Sequence, residues 1–480
     1  MWEFIKDCIE KNSSSILFDN DRQISHRELI EIVSLKGDIL RKLLPPKSKC
    51  AVLCEKGLNA AIAILSCWYA DLVPIPMSKN YGINHCANIV CLTNPDVIIY
   101  DRCIDMPFTG MQFNIDTHDI IESQIISTPE ESLKDVAVIM CTSGTTGTPK
   151  GVMITQYGLI KNVENIAAYF DIKKDDTIII ARPLYHCAVL TGEFLLSLFI
   201  GLDICFFDEP YNPVSLISCV NKYNVSVLCG TPTLLNHISR CLGRSIYKST
   251  IKAIAISGEC SSKKIAENIR NAFPKADIYY VYGLTESAPR VTYLPPKYFD
   301  EFYDSVGIPL QETCVKIVDM TNWNHELKDN MHGKVMIKSP SIMKGYYNNE
   351  ELSKSMFFDG WLFTGDIGYK DDRGFIYILS RADDMIIKAG MNIYPKEIED
   401  IVNEIDVIES CIAYGVRDED GQHIAIDIVL NTMYDNISMK EIIKTLANIL
   451  PPYKVPSKIN IVESIKKNAS GKIVRRRMTK

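Results

Sequence analysis

The densest group of side chains that could do chemistry lies at residues 141–151, which read CTSGTTGTPKG. Its hydroxyl donors and glycines are Thr142, Ser143, Gly144, Thr145, Thr146, Gly147, Thr148 and Gly151. Glycines expose backbone N–H groups, and concave arrays of such groups bind anions. Lys150 adds a mobile positive charge, and the stretch contains no acid. This composition predicts a loop that binds a polyphosphate.

The same stretch has two other interpretations. A Walker loop requires GxxxxGK followed by Ser or Thr, but here Pro149 occupies the place of the second glycine and Gly151 follows the lysine. A surface turn rich in small polar residues is the second, and an unbroken Gly/Ser/Thr run closed by a lysine argues against it. We therefore favour a phosphate-binding loop of a different kind.

The elements that must position this loop are strands, because VAVIMC leads into it and GVMIT leads out. Elsewhere, helix-length segments alternate with β-branched runs such as DVIIY, DTIIIARPL and IKAIAISGE, which is typical of α/β layers. We expect a mixed α/β fold with a large N-terminal domain at 1–380, whose β-rich subdomain spans about 304–380. A hinge at 381–384 and a small, mobile C-terminal α+β domain at 385–480 should follow, with a helix that begins at Pro395.

Composition narrows the class of protein. The chain has 480 residues and a net charge of −7, which argues against nucleic acid or anionic lipid as the main partner. Sixteen cysteines are scattered without CxxC pairs, so they are expected to be reduced thiols rather than a disulfide framework. Neither a signal-peptide pattern nor a long apolar run is present. We expect a cytoplasmic enzyme with no membrane span.

Further motifs follow the loop in a fixed order: PLYHCAVLTGEF, SGEC, YGLTES, GWLFTGDIGYKDDRGFIYILSRADD, KAGMNIYPKEIE and NASGKIVRR. In this order they resemble the adenylate-forming acyl and aryl ligases, a family that includes acyl-CoA synthetases, luciferases and stand-alone adenylation domains. The resemblance covers nearly the whole chain. It implies a reaction in two halves: a carboxylate attacks ATP to give acyl-AMP and pyrophosphate, and a thiol then takes the acyl group.

The resemblance also implies roles for individual residues. Lys472 would stabilise charge during adenylation, with His186 and Thr285 as further catalytic candidates. Glu286 and Thr145 would bind Mg²⁺, which prefers oxygen ligands. The remaining ATP contacts would come from Thr142, Ser143, Gly144, Thr145, Thr146, Gly147, Lys150, Gly258, Glu259, Tyr282, Asp366 and Arg381. Among them, Asp366 would accept the ribose hydroxyls and Tyr282 would stack on adenine. Asp383 would be the hinge between the two domains.

The substrate pocket is the part that the motifs describe least. By family spacing it would be lined by His186, Cys187, Val281, Gly283, Pro289 and Arg290. Relatives that activate amino acids place an aspartate after the aromatic of PLYH, where this chain has His186 and Cys187, so we favour a non-amino acid, aryl or aliphatic. His186 could instead be an ordinary core histidine. Arg290 could hold a second anionic or hydroxyl group of the substrate, or pair with an acid outside the pocket.

The thiol acceptor would be CoA or the phosphopantetheine of a separate carrier protein, and the sequence leaves both open. Arg475, Arg476 and Arg477 are expected to form a solvated basic tail, with contacts to an acidic carrier or to CoA phosphates as the alternative. A non-catalytic nucleotide sensor is the remaining alternative. It is disfavoured because a sensor needs no lysine that acts in a transition state, whereas this chain combines Lys150, Glu286, Asp366, Arg381 and Lys472.

Overall fold

A mixed α/β fold, as the sequence predicts, is formed by the residues that the computed structural model of the chain describes. These are residues 1–19, 22–79, 82–104, 108–121, 128, 130–143, 149–208, 211–242, 250–388, 391–418, 421–431, 439–466 and 475. Among the helices of these ranges, none combines the length and the apolar character needed to cross a bilayer.

The helices begin where the sequence supplies caps. The side chain of Ser25 accepts a hydrogen bond from the Glu28 backbone, and the Glu28 carboxylate accepts one in return from the Ser25 N–H, which starts α2. Pro395 occupies the first turn of α12, as predicted. In chain order the α-helices are α1 Trp2–Lys11, α2 His26–Leu43, α3 Gly57–Tyr69, α4 Ile83–Thr93, α5 Gln156–Tyr169, α6 Cys187–Val189, α7 Leu196–Ile200, α8 Pro213–Lys222, α9 Pro232–Leu242, α10 Lys263–Ala272, α11 Glu350–Met356, α12 Pro395–Asn403 and α13 Met439–Ile449.

The strands fall on the apolar and β-branched runs. In chain order they are β1 Ile16–Phe18, β2 Gln23–Ser25, β3 Lys49–Leu53, β4 Val73–Pro76, β5 Val97–Tyr100, β6 Met111–Asn114, β7 Ile120–Ile121, β8 Val136–Ser143, β9 Pro149–Thr155, β10 Thr177–Ile180, β11 Asp203–Phe206, β12 Val227–Gly230, β13 Ala253–Ile256, β14 Asp277–Gly283, β15 Arg290–Leu294, β16 Ile308–Pro309, β17 Cys314–Val318, β18 Gly333–Lys338, β19 Gly345–Tyr346, β20 Phe357–Phe358, β21 Trp361–Lys370, β22 Ile376–Arg381, β23 Ile386–Lys388, β24 Met391–Ile393, β25 Ile408–Asp418, β26 Gly421–Leu430 and β27 Lys458–Ile461.

The largest sheet positions most of the motifs. Its strand order is β16-β15-β14-β13-β12-β10-β11-β1-β2, and the strands from β14 to β1 run parallel. The parallel strands are buried almost throughout, because helices cover the sheet. The carboxyl ends of parallel strands meet at one edge, where α/β proteins bind ligands. The PLYH motif, Gly258 and Tyr282 all follow or end such strands.

In the described ranges of the large N-terminal part, three smaller sheets accompany the largest sheet. β4-β3-β5-β6-β7 form one, and β8 and β9 form an antiparallel pair that β19 extends. The short strands predicted after Asp304 are present in the sheet β17-β18-β21-β20, in which β22 also pairs with β21.

The C-terminal part has its own core. β25 and β26 form an antiparallel pair, β27 pairs with β26, and β23 and β24 form a separate antiparallel pair. Fully buried isoleucines from these strands pack with α12 and α13. The smaller domain is therefore a compact α+β unit, as expected.

Candidate functional site

The phosphate-loop motif lies between the paired antiparallel strands β8 and β9. In the β8–β9 register Thr142 lies opposite Lys150, and Ser143 lies opposite Pro149. The strands predicted before and after the loop are therefore present, and Lys150 lies at the start of the second strand. Gly144, Thr145, Thr146 and Gly147 lie outside the described residues, and their roles stay predictions. The Nζ atom of Lys150 lies 5.4 Å from the ring centroid of Tyr346, near enough for a cation–π contact.

Glu286 contacts the same tyrosine through its hydroxyl group. It lies in a 3₁₀ turn, Thr285–Ser287, directly after β14, and the Tyr346 hydroxyl donates a hydrogen bond of 2.8 Å to its Oε1 atom. Burial and the charge of Glu286 raise the pKa of Tyr346, so the hydroxyl stays a proton donor. The N–H of Met343 donates to the backbone oxygen of Glu286 over 2.8 Å. Thr285 is adjacent, as the motif requires.

Tyr346 was not identified from the sequence. It occupies β19, which pairs with β9 so that Tyr346 lies opposite Val152, two residues beyond Lys150. This pairing brings together two motifs that lie more than a hundred residues apart. The GYYNN run at 345–349 was the signal that could have drawn attention to it.

Asp366 is the centre of a second polar cluster. Its Oδ2 atom accepts a hydrogen bond of 2.5 Å from the Tyr282 hydroxyl, and its Oδ1 atom accepts one of 2.9 Å from Arg381. The β21–β22 register places Asp366 and Arg381 directly opposite each other. The Asp366 carboxylate raises the pKa of Arg381 above its ordinary value, and Glu286 adds to this effect. The three residues predicted for the nucleoside therefore come together, within electrostatic range of Glu286.

Glycines make this arrangement possible at two positions. A Cβ atom at Gly365 would lie 2.5 Å from Arg381, and its φ of +79° is unfavourable for other residues. Gly258 has a φ of +94°, and a Cβ there would meet only one atom within 4 Å, at 3.6 Å, so the space beside this backbone is open. The Glu259 carboxylate accepts a 2.7 Å hydrogen bond from Thr233, which ties this strip to the start of α9. An open backbone strip of this kind can lie against a planar base.

The chain after Glu286 is held by a buried amide. Asn162, on α5, donates to the backbone oxygen atoms of Ser287 and Arg290 over 3.3 and 2.9 Å, and its Oδ1 atom accepts from the Arg290 N–H over 3.0 Å. No sequence motif pointed to Asn162. Gly283 permits the backbone to turn here, because a Cβ atom would lie 1.9 Å from the Pro289 oxygen.

The predicted pocket residues have different exposures. Val281, Cys187 and Pro289 are buried, whereas His186 is half-buried, with its ring centroid 4.4 Å from that of Tyr185. Burial raises the pKa of the Cys187 thiol to about 12, so this group is neutral at physiological pH. A neutral thiol offers no counter-charge to a substrate ammonium group.

Arg290 is buried, with 4% of its surface exposed. It lies in electrostatic range of Cys187 and of Glu193, a carboxylate that itself forms an ion pair with Arg182. Glu193 belongs to a π-helical turn, Leu190–Leu195, that joins α6 to α7. The sequence did not predict the ion pair of Arg182 and Glu193, because no motif distinguishes these residues from other charged residues.

The predicted hinge and the basic tail are described only in part. Asp383 lies exposed in a 3₁₀ turn, Ala382–Asp384, after β22. Lys472, Arg476 and Arg477 lie outside the described residues. The expectation of a solvated tail is wrong for Arg475, which contacts both carboxylate oxygens of Glu399 on α12 and donates to the Ala413 backbone oxygen over 2.6 Å. Its Nε atom also lies 3.5 Å from Asp384, beside the predicted hinge.

Two family models match the chain. The family model described as AMP-binding enzyme matches residues 7–347, and the model of its C-terminal domain matches residues 397–472. A 2-succinylbenzoate–CoA ligase of Listeria innocua is 30% identical over 80% of this chain and 78% of its own length. A long-chain-fatty-acid–CoA ligase of Bacillus subtilis is 32% identical over 72% of this chain and 61% of its own length.

A similar solved structure is o-succinylbenzoate coenzyme A synthetase from Bacillus subtilis, in complex with its acyl-adenylate intermediate. It is 23% identical, with a TM-score of 0.85 over 98% of this chain and 96% of that one. The same synthetase has been solved with ATP and a magnesium ion, at a TM-score of 0.85. At this identity the likeness establishes the fold, including a large N-terminal and a smaller C-terminal domain.

Proposed function

The chain belongs to the family of AMP-binding enzymes and is an AMP-forming ligase, and from this premise we propose that it joins a carboxylic acid to the thiol of CoA. In the first half-reaction a carboxylate oxygen of the acid bonds to the α-phosphorus of ATP, and the bond to the β-phosphate breaks with release of pyrophosphate. In the second, the CoA sulfur bonds to the acyl carbon and AMP leaves. The thiol proton passes to solvent.

One observation carries this proposal: the phosphate-binding and nucleoside-binding candidates converge. Lys150 and Glu286 meet at Tyr346, while Tyr282, Asp366 and Arg381 form one hydrogen-bonded group. Asp366 and Glu286 both raise the pKa of Arg381, so the Lys150–Glu286–Tyr346 group lies close to the Tyr282–Asp366–Arg381 group. A cation and a carboxylate at one end, with a diol acceptor at the other, suit a magnesium-bound nucleoside triphosphate.

The donor set fits magnesium. Glu286 offers a carboxylate oxygen, and a hard cation completes its shell with water and phosphate oxygens. When bound, magnesium would neutralise phosphate charge. The protein's own contribution is to hold the glutamate in place through the Tyr346 hydroxyl, and to bring Lys150 to the same side. We propose two protein ligands for the magnesium ion. Glu286 lies among the described residues, and Thr145 lies outside them.

Lys472 is proposed as the catalytic residue of adenylation. It would act from the small domain at 385–480, brought to the site by rotation at the hinge 381–384, and the domain would then turn another face for thioester formation. Arg475 supports this proposal, because its contacts with Glu399 and Asp384 fix the chain three residues after Lys472.

The acid is proposed to be a non-amino acid, aryl or aliphatic. Cys187 is neutral, and Arg290 places a positive charge within electrostatic range of the same thiol, which disfavours an ammonium group at this place. The acid that also acts on this thiol, Glu286, is the proposed magnesium ligand. CoA is the proposed acceptor, because the relatives carry the names of CoA ligases.

The test is a panel assay. Purified protein is incubated with Mg-ATP and aryl, aliphatic and amino acids, with and without CoA, while pyrophosphate and thioesters are measured. We expect pyrophosphate release with a non-amino acid and acyl-CoA formation when CoA is added. Acyl-AMP that CoA leaves untouched would redirect the acceptor to a carrier protein. Absence of pyrophosphate with every acid would contradict the function.

A further inference from the structure

Arg290 is held rigidly at the start of β15. The Asn162 side chain binds both its N–H and its backbone oxygen, and the residue is 4% exposed. Its side chain crosses Gly192 in the π-helical turn, where a Cβ atom would lie 2.6 Å from the Nη2 atom. π-Helical turns are frequent at functional sites. Gly192 therefore leaves the space that the guanidinium occupies.

Within the described part of the chain, no carboxylate forms an ion pair with Arg290, and its buried Nε atom has no hydrogen-bond partner. The two nearby acids have other partners. Glu193 pairs with Arg182, and Glu286 accepts the Tyr346 hydroxyl. A buried guanidinium without an ion-pair partner is costly, and a carboxylate of the substrate would offset that cost.

Cys187 shows where Arg290 lies relative to the reaction. The charges of Glu286 and of Arg290 both act on this thiol, with opposite effects on its pKa. Cys187 follows His186 at the predicted acid pocket, so Glu286, where ATP is proposed to react, and Arg290 both lie within electrostatic range of that pocket. An acid whose carboxylate reacts beside Glu286 would thus reach Arg290 with its far end.

We propose that Arg290 binds a second carboxylate, at the end of the substrate remote from the carboxylate that is adenylated, so that the preferred substrates are dicarboxylic acids. A guanidinium matches a carboxylate with two parallel N–H donors, which gives geometric selectivity as well as affinity. The pairing that the sequence left open, with an acid of the protein, is not made by the described residues. This inference rests on the proposed ligase function.

The test compares acids that differ by one carboxylate. Suitable pairs are 2-succinylbenzoate with 4-oxo-4-phenylbutanoate, and suberate with octanoate. For each acid kcat/KM is measured by pyrophosphate release with the wild type, with Arg290→Met, and with Arg27→Met as the matched control. Arg27 is suitable because it lies exposed on α2, 3.8 Å from Glu31.

We expect the wild type and Arg27→Met to prefer the dicarboxylic acid of at least one pair by tenfold or more, and Arg290→Met to lower that ratio at least tenfold. Arg290→Lys should restore part of the ratio. If Arg290→Met does not fold, the kcat/KM ratios of the wild type for the two pairs of acids still test whether a second carboxylate is preferred. Turnover of the monocarboxylic acids with equal or higher efficiency in both pairs, or an unchanged ratio in folded Arg290→Met, would overturn the inference while leaving the ligase function intact. Absence of pyrophosphate with every acid would instead remove the function on which it rests.

Discussion

Replacing Asp366 by alanine should remove the group that we propose as acceptor of both ribose hydroxyls of ATP. Asp366 is 6% exposed, so in the alanine variant water can hardly enter to take over its hydrogen bonds. Each of its carboxylate oxygens accepts one hydrogen bond from the protein and keeps a lone pair for a ribose hydroxyl. A hydrogen bond to a charged group contributes about 1.5–3 kcal/mol, so two contribute about 3–6 kcal/mol. We expect kcat/KM for ATP to fall by about 10²- to 10⁴-fold.

Deoxynucleotides turn this into a specific test. With the wild type, 2′-deoxy-ATP and 3′-deoxy-ATP should each lose about 10- to 100-fold in kcat/KM, because each removes one hydrogen bond. With Asp366→Ala the three nucleotides should be nearly equivalent, since the acceptor is already gone. The fold should survive, because the Arg381 side chain is 48% exposed and water can solvate it when its partner is removed.

Tyr282→Phe is the matched control, since it removes one donor to Asp366 and keeps both carboxylate oxygens. This variant should retain discrimination against the deoxynucleotides. Circular dichroism and thermal denaturation establish that each variant is folded. If Asp366→Ala still rejected 2′-deoxy-ATP and 3′-deoxy-ATP as strongly as the wild type, the assignment of Asp366 to the ribose would be refuted.

Three further predictions concern a buried amide, a buried carboxyl group and the separation of the two half-reactions. Asn162→Leu should lower the free energy of unfolding by about 2–4 kcal/mol, because it leaves buried backbone groups without partners; a loss below 1 kcal/mol in urea denaturation would contradict this. Burial raises the pKa of Asp400 from 3.8 to about 6, so the folded protein retains a proton that the unfolded chain releases, and the free energy of unfolding should fall as pH rises through this window. Asp400→Asn should remove that part of the slope, and an unchanged slope would refute the assignment. Lys472→Ala should abolish acyl-AMP formation but leave thioester formation from added acyl-AMP largely intact, and Arg475→Ala should slow the first half-reaction more than the second; equal losses in both halves would contradict the two-face mechanism.

The sequence predicted the parts of this fold that depend on local patterns. β8 and β9 were predictable because apolar β-branched runs flank a glycine-rich loop, and the helix at Pro395 because proline favours a first turn. The resemblance in motif order assigned Glu286, Asp366 and Arg381 to one site, and the structure pairs Asp366 with Arg381.

The residues that the sequence did not predict act through contacts distant along the chain. Tyr346 supports Glu286 from a strand sixty residues further along, and Asn162 holds Arg290 across 128 residues. Neither residue type is distinctive, so only the sheet pairing and the helix packing reveal them. Arg475 was expected in solvent because basic tails are commonly hydrated, and its pairing with Glu399 depends on how the C-terminal segment packs against α12.

The central claim is that the acid is activated as an acyl-adenylate, and isotope transfer tests it most directly. The preferred acid is labelled with ¹⁸O in its reacting carboxylate and turned over with Mg-ATP and CoA, and the products are analysed by mass spectrometry. Because a carboxylate oxygen bonds to the α-phosphorus and stays there when the thiol takes the acyl group, AMP should carry one ¹⁸O atom and pyrophosphate none. Label in inorganic phosphate, with ADP as the nucleotide product, would contradict the account.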